Sequence, residues 1–150
     1  MSKISKPNLV NALKTDFEER LNDLLVQIND LEASKNSESK STAGDKHEVG
    51  RAMAQNELDN LKKRFAELKG NLATLTQLDL SKSEQVKSGS LVKTKTAIFM
   101  LGLGVGRFTF QGETIFIISP ISPVGRVLLG KKLGDTFFFN GKTHSIIELS

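Results

Sequence analysis

The sequence predicts an α+β chain. An antiparallel α-helical coiled-coil hairpin spans residues 1–80, and a small antiparallel β-domain with one short helix spans residues 86–150. Three observations predict it. Two segments space their apolar residues in steps of three and four, and a serine-rich stretch without that spacing lies between them. After "LDLSKSEQ" the period falls to two and the residues turn β-branched or aromatic.

The first stripe is Val10, Leu13, Phe17, Leu21, Leu24, Ile28 and Leu31. It is narrow, as in the seam of a coiled coil, rather than the broad face of a globular helix. Pro7 suits the first helical turn, where an N–H would have no partner. A helix from Pro7 to Lys35 is about 44 Å long at ~1.5 Å per residue. The second stripe is Ala54, Leu58, Leu61, Phe65, Leu68, Leu72 and Leu75. Gly70 lies within it and should weaken that helix by about 1 kcal/mol relative to alanine. "ASKNSESKSTAGD" carries no stripe, so residues near 36–46 form the far end of the hairpin. A hairpin this thin has little core, and its value lies in reach. The same stripes would also serve a parallel two-chain zipper.

In the second half, "GSLVKTKT", "AIFMLGL", "RFTFQG" and "TIFIIS" read as strands. "ISPVGRVLLGKKLGD" reads as a short helix with Ser122 as N-cap, Pro123 in the first turn and Gly130 as terminator. "DTFFFNGKTHSIIEL" reads as a hairpin, because Asn140 and Gly141 both accept the positive φ of a two-residue turn.

Charge divides the chain as well. Residues 1–85 carry 13 Lys/Arg against 14 Asp/Glu, while residues 86–150 carry 8 against 3. The basic second half favours an acidic partner surface, either protein or nucleic acid. The absence of cysteine excludes disulfide and thiolate chemistry, and two histidines are too few for a resident zinc site. No apolar run approaches the ~20 residues of a membrane span and no signal peptide is evident, so a cytoplasmic protein is expected.

Most chemical motifs dissolve on inspection. Gly102, Gly104 and Gly106 fit neither phosphate-loop spacing and read as an inter-strand turn. His144 lies in a strand without a companion ligand, and the serines have no triad arrangement. "LKKRF" at residues 61–65 reads as a solvated helix face. One pair stands out: Asp45 and Glu48, three residues apart where the second helix begins. They form a capping box, and both anions suit the positive end of the helix dipole. Two carboxylates on one face can also hold a hard divalent cation weakly, provided a partner completes the coordination.

Two stretches carry a family resemblance that spans the chain. "SPVGRVLLGKKLGD" at 122–135 is similar to the C-terminal signature of the bacterial transcript cleavage factors of the GreA/GreB family. "GDKHE" at 44–48 resembles that family's acidic tip between two helices. The resemblance implies an FKBP-like fold for the β-domain, which would dock at the rim of the RNA polymerase secondary channel. It implies that the hairpin passes down the channel and that Asp45 and Glu48 position a Mg2+ shared with the polymerase, with no resident cofactor. Backtracked RNA is then cut by the polymerase, so this chain is an accessory factor rather than an enzyme. Ser122 and Pro123 would be the docking residues, the nascent RNA 3′ end would meet the tip, and the factor would act as a monomer.

The sequence departs from the family in two places. Val49, Gly50, Arg51 and Ala52 replace Asn-Ala followed by an acidic and an aromatic residue, and Ile121 stands where relatives often carry an acid or amide. Lys46 and Arg51 make the tip more basic, which either favours RNA contact or blunts metal recruitment. A channel regulator that does not promote cleavage is therefore an alternative. A prolyl isomerase and a coiled-coil adaptor are alternatives of other classes. The isomerase needs an aromatic-lined pocket, and the chain has no Trp or Tyr, only phenylalanines that read as core.

Overall fold

The computed structural model describes residues 4–39 and 44–150, with side chains over 4–34 and 50–150. Two long helices come first, α1 (Lys6–Ser39) and α2 (Gly44–Thr76). Seven short strands and one short helix follow. Contacts divide the chain into two compact units, Met1–Ala12 with Ala73–Ser150, and Leu13–Leu72. The roots of both helices thus belong to the unit that contains the sheet.

The unit of residues 13–72 is the helical hairpin. Ile28, Leu58 and Leu61 are buried, with Leu24, Leu31 and Phe65 packed against them. Every residue of both predicted stripes is buried or half-buried, while Leu25 and Val26, beside the seam, are exposed. The seam is formed within one chain and runs antiparallel. Glu32 of α1 pairs with Lys62 of α2 at 3.1 Å, and nearer the roots Leu24 and Leu68 line one groove with Arg20 and Asn71. At ~1.5 Å per residue, the 34 residues of α1 make about 50 Å of helix. Its start is set by Ser5, whose Oγ accepts from the Asn8 N–H at 3.3 Å. The helix continues through Ser39, past the end of the stripe.

The other unit is built on a five-stranded sheet in the order β3-β4-β2-β1-β7. Its strands are β1 (Leu91–Lys93), β2 (Ile98–Leu101), β3 (Gly106–Phe110), β4 (Glu113–Ile118) and β7 (Glu148–Leu149). All pairings are antiparallel except β2 with β4. The continuous apolar run of β2 is buried at all four positions, as a central strand covered on both faces requires. On one face Val92, Phe99 and Leu101 form a core with Leu128 of α3 (Pro123–Leu128). Phe137 and Ile146 join that core from the two-stranded ribbon of β5 (Thr136–Phe139) and β6 (Lys142–Ser145) and the residue just beyond it. The β5–β6 turn is Asn140-Gly141 with φ of 54° and 80°, the left-handed pair that this hairpin demands. On the opposite face, Ile4–Pro7 and the buried Leu91 and Ile98 line a cleft of about 550 Å³.

Two features differ from the sequence expectation. The final strand β7 leaves the ribbon and pairs with β1, because Ile147 breaks the β5–β6 ladder and donates its N–H to the Lys93 carbonyl. The β2–β4 pair is parallel, with β3 turning back to form the sheet edge.

Candidate functional site

Two regions hold the residues that the sequence singles out. The first is the start of α2. The backbone of Asp45, Lys46 and Glu48 is helical, and α2 begins at Gly44, so Asp45 lies inside the first turn rather than at the N-cap position before it. The side chains of Asp45, Lys46 and Glu48 lie outside the described residues, and so does any contact they make. Arg51 is exposed. The donor set is two hard carboxylate oxygen ligands, which suits Mg2+ in kind but is too small to close its octahedral shell.

The second region is the loop that enters α3. Ser122 is the N-cap, with φ of −69° and ψ of 160°. Its Oγ accepts from the Gly125 N–H at 3.0 Å and donates to the Ser119 carbonyl at 2.7 Å. The Ser122 N–H donates to the same carbonyl at 3.1 Å, and the Ile121 N–H donates to Ser119 Oγ at 3.3 Å. Four hydrogen bonds therefore tie Ser119, Ile121, Ser122 and Gly125 together. Pro123 follows at the first helical position, its φ already suited to the helix. Gly125 lets this turn lie against the chain at 119–120: a Cβ there would meet the Ser119 carbonyl oxygen and sit 2.9 Å from Pro120 Cα. The outcome is a rigid loop with Ser122 half-buried, Pro123 exposed and Ile121 75% exposed. An apolar knob, Ile121, stands beside the Ser-Pro pair.

His144 is structural in this arrangement. Its ring stacks on Phe137 with centroids 5.4 Å apart, Nδ1 meets the Thr94 hydroxyl at 3.3 Å, and Nε2 lies 3.2 Å from the Phe139 carbonyl oxygen. The phenylalanines also pack on one another. Phe99 has Phe116, Phe137 and Phe139 around it at centroid distances of 5.0–5.6 Å. Gly102 and Gly104 lie in the connection from β2 to β3, as a turn rather than a phosphate loop.

Sequence reasoning missed an electrostatic knot at the root of α1. Lys6 is 8% exposed, and its ammonium donates to the Gly89 carbonyl at 3.2 Å. Burial, and then the neighbouring Lys87 ammonium, push its pKa below the ordinary lysine value, against a smaller opposing pull from Asp79. Lys87 in turn donates to Asp79 at 2.6 Å, and Ser81 bonds the same carboxylate through its N–H and hydroxyl. Hydrogen bonds from Lys87 and then Ser81 hold the Asp79 carboxyl well below the usual range. The available signal was a lysine in the first turn of a helix, where the dipole disfavours a cation.

Among the described residues no helix is long and apolar enough to cross a membrane. No family model and no curated protein sequence matches the chain. Solved structures do resemble it. GreA factor homolog 1 (Gfh1) of Thermus thermophilus is 18% identical over 99% of this chain and 96% of that chain, with a TM-score of 0.36. Gfh1 of Thermus aquaticus is 18% identical over 95% and 92%, with a TM-score of 0.34. A structure described as the transcription factor Gfh1 is 20% identical over 97% and 92%, with a TM-score of 0.32.

Proposed function

We propose that this chain is a transcription elongation factor that binds RNA polymerase through the secondary channel and stimulates the polymerase's own Mg2+-dependent cleavage of backtracked transcripts. The observation that carries the reading is the position of Asp45 and Glu48 in the first two turns of α2. About 36 Å of helix separates Glu48 from Leu72, where the hairpin unit ends. A capping role needs no hairpin of that length. The preorganised Ser122–Pro123 loop supports the same reading, since a rigid loop loses little entropy on docking.

In this reading the chain is not itself an enzyme. Its β-domain has an FKBP-like fold and docks through Ser122 and Pro123. The hairpin, acting as a monomer, brings its tip to the polymerase's active site. Mg2+, when bound, supplies an activated water and stabilises the charge that develops on the scissile phosphate. Asp45 and Glu48 contribute two of its oxygen ligands, and Lys46 and Arg51 meet the RNA 3′ end. The phenylalanines that a prolyl isomerase would arrange around an open pocket are packed against one another here, which weighs against that alternative.

A second reading is favoured by the tip composition: a channel regulator that restrains the polymerase without cleavage. Lys46 and Arg51 flank the two acids, and Val49-Gly50 stands where the family pattern has Asn-Ala. The double variant Asp45→Asn/Glu48→Gln tests both readings, because amides keep the shape and hydrogen-bonding capacity of the side chains while removing the charge. With wild-type protein, stalled backtracked complexes should release 3′ RNA fragments. The double variant should lose at least 100-fold in that rate while retaining binding to the polymerase. Fragment release that survives the double change removes the catalytic assignment. Binding and inhibition by the wild type without any release would establish the second reading.

A further inference from the structure

We propose that the outer edge of β3 is a docking site at which an extended acidic segment of a partner protein adds to the five-stranded sheet as a further strand. Strand β3 ends the sheet order, and among the described residues no strand pairs with its outer side. Gly106, Arg107 and Thr109 are exposed, and Phe108 and Phe110 are half-buried. The edge shares no residue with the hairpin tip or the Ser122–Pro123 loop.

The backbone decides which groups are open. Gln111 and Gly112, with φ of 51° and 77°, are the left-handed pair of a two-residue turn. Phe110 and Glu113 close that turn opposite each other and exchange hydrogen bonds. Bonded pairs alternate along an antiparallel ladder, so Phe108 with Ile115 is the next one. The N–H and C=O groups of Arg107 and Thr109 consequently point away from β4, where an added strand can pair with them. At the base of the ladder Gly106 lies opposite Ile117, and the Val105 N–H donates to the Ile117 carbonyl at 3.1 Å, a bulge that ends the regular pairing. Residues 107–110 remain as a regular edge about 13 Å long at ~3.3 Å per residue.

The side chains set the chemistry of the occupant. Arg107 and Thr109 leave one face of the sheet, and Phe108 and Phe110 leave the other. The Arg107 guanidinium carbon lies 5.8 Å from the centroid of the Phe116 ring opposite it. An incoming strand would set alternate residues beside Arg107 and Thr109, where a carboxylate meets the guanidinium. Its intervening residues would lie beside Phe108 and Phe110, where β-branched or aromatic side chains cover the rings. Edges are commonly closed to such pairing by lysine or proline, and residues 107–110 have neither. Their single cation repels a basic strand and attracts an acidic one, and Glu113, opposite Phe110, belongs to the other face. A second copy of this edge is a poorer occupant, because "GRFTF" brings another arginine and no carboxylate.

The test uses the full chain and a labelled heptapeptide of alternating glutamate and valine, read by fluorescence anisotropy at low salt, with a lysine–valine heptapeptide as control. The acidic peptide should bind and the basic one should not. Thr109→Pro replaces an N–H that β4 does not use, and it should weaken binding about ten-fold, as loss of one or two backbone hydrogen bonds would. Thr109→Val, which keeps the N–H, should bind as the wild type does, and Arg107→Glu should reverse the preference between the two peptides. A readout on the wild type needs no variant to fold. Amides of Arg107 and Thr109 should gain protection from solvent exchange when the acidic peptide is added, while those of Phe108 and Phe110, already bonded to β4, should not change. No binding of the acidic peptide, equal binding of both peptides, or unchanged exchange at Arg107 and Thr109 overturns the proposal. Protection of those two amides that rises with protein concentration alone would assign the edge to a second copy of the chain instead. No polymerase is present in the assay, so its outcome does not depend on that of the cleavage experiment.

Discussion

At Gly125 the packing leaves no space for a side chain. The Ser119 carbonyl occupies the position of a Cβ, and the same carbonyl accepts from Ser122. Gly125→Ala should therefore cost about 1–3 kcal/mol through overpacking, more than the ~1 kcal/mol expected for loss of the cap in Ser122→Ala. Urea unfolding of the two variants gives the comparison, and equal costs would deny the close approach. The cap was legible because serine before proline is a local pattern. The glycine was not, because its reason lies in a carbonyl six residues earlier. Lys6 was equally hidden, since its acceptor, the Gly89 carbonyl, is 83 residues away. Its lowered pKa has a signed consequence. Below 10.5 the native state releases the Lys6 proton first, so the unfolded chain holds more protons and stability from this group rises as pH climbs through that interval. Lys6→Met should abolish that rise, with urea midpoints followed from neutral pH towards 10.5. A rise that persists in the variant would place its origin elsewhere. Asp79 works at the acid end: its contribution is present above the ordinary value of 3.8 and is lost as pH falls below it.

Among the elements, α2 shows how a seam overrides propensity. Gly70 sits in its interior, and a Cβ built there would meet nothing within 4 Å. Gly70→Ala should stabilise the protein by about 0.5–1 kcal/mol, since the helical backbone is already adopted and only unfolded-state freedom is removed. Thermal unfolding followed at the helical circular dichroism band would show it, and a loss of stability would mean that the glycine serves a contact. Both stripes were readable because a two-helix seam writes a period of three and four along each partner. The Asn140-Gly141 turn was readable because its φ values restrict the residue choice. The partners of β7 and β4 were not, because a two-residue strand has no period and parallel pairing leaves no turn signature. The start of α2 was legible as a helix beginning, and its first helical residue proved to be Gly44 rather than a position after Asp45.

Across the whole molecule the two units differ in how they are held. Strand β2 is buried on both faces between β1 and β4, whereas the hairpin buries a single stripe. Backbone amides of β2 and β4 should exchange with solvent more slowly than those of the helices between residues 13 and 72, because the hairpin opens by separating one thin seam. Exchange followed by mass spectrometry decides this, and equal protection would mean that the units open together. The candidate site is distributed in the same way. Its acidic pair could be named from spacing and resemblance, and the Ser122 cap from a local motif.

The sheet unit is assembled from both ends of the chain, Met1–Ala12 and Ala73–Ser150, so residues 13–72 leave and re-enter one body. Their length is thereby an adjustable setting. Adding or removing seven residues on each helix would reset the hairpin's span by about 10 Å while keeping the stripes in phase, with the same two junction residues in the chain each time.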